Sequence, residues 1–167
     1  MSEATTDKVR LSDETRAKID HWVAKFPPEQ KRSAVIQALT AAQDQNGGWL
    51  SREIITEVAQ YLDIPAAWAY EVASFYSLFH LQPVGRHKVA LCTNISCWLR
   101  GANDLAAHME RKLGIEMGET TADGRITLVK EEECLAGCVG APMMIVNGHY
   151  HENLDETKVD ELLDGLD

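Results

Sequence analysis

His87-Lys88-Val89-Ala90-Leu91-Cys92-Thr93-Asn94-Ile95-Ser96-Cys97 reads as a strand that ends on a cysteine and runs into a loop carrying a second one. The pattern returns further along, where the strand candidate Ile126-Thr127-Leu128-Val129 is followed by Cys134-Leu135-Ala136-Gly137-Cys138. These are all four cysteines of the chain, arranged as Cys92-x4-Cys97 and Cys134-x3-Cys138 with 36 residues between the pairs. Two close pairs so far apart in sequence meet only if the fold brings their loops together.

The neighbouring elements say how it can. Trp98 to Leu113 is predicted as a helix, with Leu105, Met109 and Leu113 repeating every four residues. Ala122-Asp123-Gly124 turns into the second strand. Met143 to Val146 and Tyr150 flank Asn147-Gly148, a two-residue hairpin signal, and Asp155 caps a last helix through Val159, Leu162, Leu163 and Leu166. The order β-α-β, then β-β-α, is that of a thioredoxin-like half-sandwich. Both cysteine loops then leave one end of a parallel strand pair.

Upstream the texture is helical. Ser12 with Asp13 and Glu14 begins a helix bearing Ile19, Trp22, Val23 and Phe26, which Pro27-Pro28 stops. A second is expected from about Gln30 to Gln45, closed by Gly47-Gly48, with Val35, Ala38, Leu39 and Ala42 on one face. Ser51 caps a third with Ile54, Ile55, Val58 and Leu62 inward, and Pro65 suits the first turn of a fourth. The stripe Trp68, Phe75, Tyr76 and Phe79 on that fourth helix reads as core, with a docking face as the alternative. Gln82 to Arg86 is a turn-rich joint. The fold class expected is α+β: a helical domain over residues 1–82, then a βαββα thioredoxin-like domain over residues 83–167.

Composition bounds the function. With 45% apolar and 25% charged residues the chain is ordinary globular material. A net charge of -10 argues against nucleic acid, which selects a basic face. No run of 18 apolar residues occurs, so no direct membrane insertion is expected. The start, Met1-Ser2-Glu3-Ala4-Thr5-Thr6-Asp7, has neither a signal core nor the Arg-rich character of a transit peptide, so a cytoplasmic location is expected.

In a reducing compartment, cysteines more often serve metals or catalysis than disulfides. A thioredoxin-type redox pair needs Cys-x-x-Cys, which is absent. Two readings remain. Four thiolates suit a [2Fe–2S] cluster, two for each iron. Four thiolates also suit a structural zinc, although a domain of this size has less need of a metal staple. Gly137 and Gly140 favour the cluster, since glycine lets backbone N–H groups turn toward sulfur. His87, His108, His149 and His151 are expected as exposed surface residues, not ligands. The run Glu131-Glu132-Glu133 is either a solvated strand end or a group of charges that depresses the potential of a neighbouring cluster. No dinucleotide or P-loop fingerprint and no catalytic constellation occurs. A cluster saturated by four thiolates leaves no open position, so no catalytic residue is expected on this chain.

Several stretches together resemble a known family. They are Ala73-Ser74-Phe75-Tyr76, Gln82-Pro83-Val84-Gly85-Arg86-His87, and Cys92 to Cys97 followed by Leu99-Arg100-Gly101. Lys112-Leu113-Gly114-Ile115, Gly118-Glu119-Thr120-Thr121, Asp123-Gly124 and Glu133 to Cys138 extend the likeness from the second helix to the C-terminus. The family is that of the 24-kDa (E) subunits of NADH:quinone oxidoreductase, respiratory complex I.

The resemblance implies a thioredoxin-like ferredoxin domain that holds one [2Fe–2S] cluster on Cys92, Cys97, Cys134 and Cys138. It also implies a larger partner subunit that binds FMN and oxidises NADH, and further peripheral-arm subunits. The complex would sit on the cytoplasmic side of a bacterial inner membrane, with the helical half securing the flavin-bearing partner. Related subunits of NAD-linked formate dehydrogenases and hydrogenases, and a non-redox zinc-binding interaction module, are the alternatives.

Overall fold

The computed structural model describes residues 10–129 and 134–167. Contacts divide the chain into a unit ending at Pro83 and a unit from Val84 to Asp167.

In the first unit, helix α1 (Asp13–Val23) starts where Ser12 accepts a hydrogen bond from the Thr15 amide. That is the N-cap arrangement, which satisfies one of the orphan donors of the first turn. Ser51 does the same for α3 (Arg52–Leu62) through the Ile54 amide. The expected helix from Gln30 to Gln45 is two elements. Pro28–Ala34 is a 3-10 helix, with Gln30 out of helical geometry at φ -113, and only Val35–Gln45 is α-helical (α2). Its Gln43 is buried and satisfied at both ends of its amide: Nε2 donates to the Leu78 carbonyl at 3.1 Å and Oε1 accepts from the His80 amide at 2.9 Å. Ile19, Leu39, Leu50, Ile54, Ile55 and Leu62 fill the core.

Helix α4 (Ala66–Phe75) departs from expectation. Its buried residues are Ala69 and Ala73, small side chains that suit close packing on its neighbours. Phe75 is 80% exposed, Trp68 46% and Tyr76 36%; of the four-residue stripe read as core, only Phe79 is buried.

The second unit is a four-stranded sheet in the order β2-β1-β3-β4. β1 (His87–Leu91) and β2 (Ile126–Val129) run parallel, with His87 opposite Ile126 and Ala90 opposite Val129. β3 (Met144–Val146) joins β1 antiparallel, and β4 (His149–His151) pairs with β3. The β3–β4 turn has Asn147 at φ 50 and Gly148 at φ 85, the two positive values that a type I′ hairpin demands.

The crossover helix from Trp98 to Leu113 is broken. Gly101, at φ 89, separates the short α5 (Ile95–Leu99) from α6 (Ala102–Leu113). α6 and α7 (Glu156–Asp164, capped by Asp155 accepting from the Lys158 amide) cover the sheet. Val89, Leu128, Met109 and Val159 are all fully buried in that core.

Candidate metal centre

Parallel pairing fixes where the cysteines go. β1 ends at Leu91, so Cys92 is the next residue, and Cys97 lies on α5. β2 ends at Val129, and Cys134 and Cys138 follow in the loop from the same end of the sheet. All four are free thiols; Cys92 and Cys97 are buried, Cys134 and Cys138 exposed. The Cys92 amide donates to the Met143 carbonyl at 3.1 Å. Cys92, Cys97, Ala102, Ala141 and Met143 form a small buried cluster, and Leu135 of the second loop packs against it. The two loops therefore share one apolar nest.

The sulfurs come as pairs. Cys134 Sγ lies 3.6 Å from Cys138 Sγ. A tetrahedral metal with thiolate bonds of about 2.3 Å holds two sulfurs roughly 3.7–3.8 Å apart, so this pair is spaced for a common ion. Cys97 has Cys92 as its hydrogen-bond partner, and Cys138 bears on its charge. Burial, followed by that bond to Cys92, pushes the Cys97 thiol up to about 11. A thiolate at that position calls for a cation to offset the lost hydration. Among the described residues, no three Cys, His, Asp or Glu side chains gather around a point that one ion would occupy.

The loop glycines also serve packing. A Cβ on Gly137 would meet the Met143 side chain, with Cε at 2.6 Å, and one on Gly140 would meet Glu152 Cβ at 2.6 Å. Their absent side chains permit close packing. The amide aimed at sulfur belongs to Ala136, whose N–H donates to Cys134 Sγ at 3.4 Å from a left-handed backbone at φ 61.

Sequence reasoning missed the rim of the site. Ile95, Trp98 and Leu99 on α5, and Val139 beside Cys138, are exposed apolar side chains next to ligand candidates. Their signal was available, since apolar residues beside ligands in a short loop have little core to join.

Of the four histidines weighed as ligands, His149 is exposed, while His87, His108 and His151 are half-buried. His108 Nε2 lies 2.8 Å from Asp160 Oδ1, and His87 meets the Asp167 carbonyl at 2.9 Å, so both serve packing and not a metal. Glu131, Glu132 and Glu133 lie outside the described residues.

A family profile described as thioredoxin-like [2Fe-2S] ferredoxin matches residues 19–167. The E subunit of the NADH-quinone oxidoreductase of Rickettsia typhi is 47% identical over 142 residues, covering 85% of this chain and 83% of that protein. An E subunit of the same enzyme from Rhizobium meliloti is 45% identical over 151 residues, covering 90% and 88%. Among solved structures, an NAD+-reducing [NiFe]-hydrogenase in the air-oxidized state superposes with a TM-score of 0.64 at 24% identity. That match covers 75% of this chain but only 22% of the hydrogenase chain, and it speaks to fold alone.

Proposed function

We propose that this chain, which belongs to the thioredoxin-like [2Fe–2S] ferredoxin family and is similar throughout to E subunits of NADH-quinone oxidoreductase, is the electron-transfer subunit of such an enzyme. Cys92 and Cys97 hold one iron, and Cys134 and Cys138 the other. The cluster supplies a one-electron store; the protein's part is to seat it, shield it and present it. Met143, Ala102 and Ala141 keep water from the inner pair, while the outer pair stays at the surface. The family likeness over residues 19–167 carries this reading, and the 3.6 Å between Cys134 and Cys138 suits two ligands of one iron.

FMN and NADH belong to the larger partner subunit. The apolar rim of Ile95, Trp98, Leu99 and Val139 gives that partner a dry surface to close over the cluster. Trp68, Tyr70, Phe75, Tyr76 and Leu78 are exposed large apolar side chains of the helical unit, suited to securing the same partner. Among the described residues no helix is long and apolar enough to cross a membrane. The reading places the chain on the cytoplasmic side of the membrane, held there by the rest of its complex. The hydrogenase likeness rests on fold, whereas the E-subunit likeness runs through the sequence at 47% identity, and it takes precedence.

Chemical analysis tests the assignment. The chain should carry two irons and two acid-labile sulfides, and Cys134→Ala should lose or badly destabilise the cluster. A Cys134→Ala protein with full iron, full sulfide and an unchanged paramagnetic resonance spectrum would remove Cys134 from the ligand set. Colourless protein with one bound zinc would replace the redox reading by the structural one.

A further inference from the structure

Tyr150 stands on β4, on the hairpin strand that pairs through Ile145 with β3. Its hydroxyl crosses to the second cysteine loop and donates to the Leu135 carbonyl at 3.0 Å. The peptide unit that owns that carbonyl also owns the Ala136 N–H, and this N–H donates to Cys134 Sγ at 3.4 Å. One amide is therefore held at both ends, by a phenol on its oxygen and a cysteine sulfur on its nitrogen.

The orientation of that amide is not a default of the backbone. Ala136 sits at φ 61, a conformation costing a non-glycine residue roughly 1–2 kcal/mol. Something must hold it there, and Tyr150 is one anchor. The strand end beyond supplies others: the Asn153 amide donates to the Gly140 carbonyl at 2.7 Å, and the Leu154 amide to the Pro142 carbonyl at 3.0 Å. Glu152 lies over Gly140 closely enough that no side chain fits between them. Tyr150 is thus placed by a strand paired in the sheet, next to a segment clamped to the same loop.

We propose that Tyr150 is a positioning residue that tunes the cysteine site through the Leu135–Ala136 peptide. A hydrogen bond to the carbonyl oxygen polarises the amide and makes its N–H a better donor, a cooperative gain of about 10–30% per bond. N–H donation to a ligand sulfur disperses negative charge there, and so favours the more negative, reduced state. The Tyr150 hydroxyl therefore raises the potential at which the site accepts an electron. The inference rests on the cluster assignment above.

The test is a redox titration of the full chain, reconstituted with iron and sulfide, reduced with dithionite and followed by paramagnetic resonance. Tyr150→Phe keeps the ring, which is already half in solvent, and removes only the donor. Its iron and sulfide content should match the parent, its midpoint should move to lower potential, and the coupling of one exchangeable proton seen by pulsed resonance in heavy water should weaken. Ring-fluorinated tyrosine at position 150 is a stronger donor and should move the midpoint the other way. A merely structural role gives no such inversion of sign. A fully loaded Tyr150→Phe protein with unchanged midpoint and unchanged proton coupling overturns the proposal while leaving the cluster assignment intact. Failure of the parent chain to take up two irons and two sulfides overturns both.

Discussion

Gly137→Ala isolates the packing that holds the two cysteine loops together. At φ -105 the residue needs no glycine backbone, so alanine brings no conformational penalty. What it adds is one methyl group, which would lie 2.6 Å from Met143 Cε. Met143 is 1% exposed and shares its nest with Cys92, Cys97, Ala102 and Ala141, so its thioether end gives way only by shifting within that nest. Overpacking of this kind costs about 1–3 kcal/mol, and here the strain falls on the contact between the ligand loops. Gly148→Ala is the control. It has open space around it but sits at φ 85, so it should cost roughly 1–2 kcal/mol through the backbone alone. Urea unfolding followed by circular dichroism should show comparable losses of stability for the two. Iron and sulfide analysis should separate them, with a deficit in Gly137→Ala and none in Gly148→Ala.

Met143→Ala closes the cycle. Alone it should cost about 2–5 kcal/mol through the cavity it leaves. Combined with Gly137→Ala it should cost less than the sum of the two, with a coupling of roughly 0.5–3 kcal/mol, because the new methyl fills part of that cavity. Strict additivity, or a Gly137→Ala protein with full cluster and unchanged stability, would refute the reasoning.

Three further outcomes are expected. The Asp160 carboxyl is held below its ordinary value of 3.8, first by the hydrogen bond to His108 and then by Lys112. The stability this contributes is complete above 3.8 and is lost as pH falls through the lowered value. The urea midpoint of the parent should therefore exceed that of Asp160→Asn at neutral pH, and the gap should close in acid. Phe75→Ala, at an 80% exposed site, should change stability by no more than about 0.5 kcal/mol, yet weaken binding of the flavin-bearing partner in a titration. A fragment of residues 84–167 contains all four cysteines and the whole sheet; it should fold and bind cluster alone, while an otherwise equal partner affinity for that fragment would deny the helical unit its role.

What the sequence shows well is what neighbours in the chain decide. Ser12, Ser51 and Asp155 cap their helices as read, because a cap is made within three residues. Asn147-Gly148 makes its hairpin because both residues tolerate positive φ. The convergence of the cysteine pairs followed from one inference, that both loops leave the same end of a parallel strand pair, and the parallel register of β1 on β2 agrees with it. The break in the crossover helix is local too. Gly101 inside a helical pattern is a warning, but the repeat of Leu105, Met109 and Leu113 continues past it and conceals the stop. Tyr150 was beyond reach for the opposite reason: its partner is the carbonyl of a residue 15 positions earlier, and no spacing rule connects a hairpin strand to a loop.

The aromatic stripe of α4 shows where periodicity itself stops. Recurrence of Trp68, Phe75 and Tyr76 at helical spacing says that these side chains gain by leaving water; it does not say what will cover them. Ala69 and Ala73 already occupy the face turned to the rest of the unit, and small residues there leave the large ones outside. A helix apolar on more than one face is ordinarily buried on more than one side. Within the first unit α4 has cover on one side only, and Phe75 at 80% exposure lies on the other. The same reasoning applies to Ile95, Trp98, Leu99 and Val139 around the cysteines. On the proposed function, apolar surface at the ligand loops, where an electron would pass to or from a partner, is retained because that partner completes the burial. If so, mixing the chain with its flavin-bearing partner should quench or shift the fluorescence of Trp68 and Trp98, both exposed, and leave the chain's far-ultraviolet dichroism unchanged. Unchanged fluorescence from both in a complex shown to have formed would mean that these faces are covered by something other than that partner.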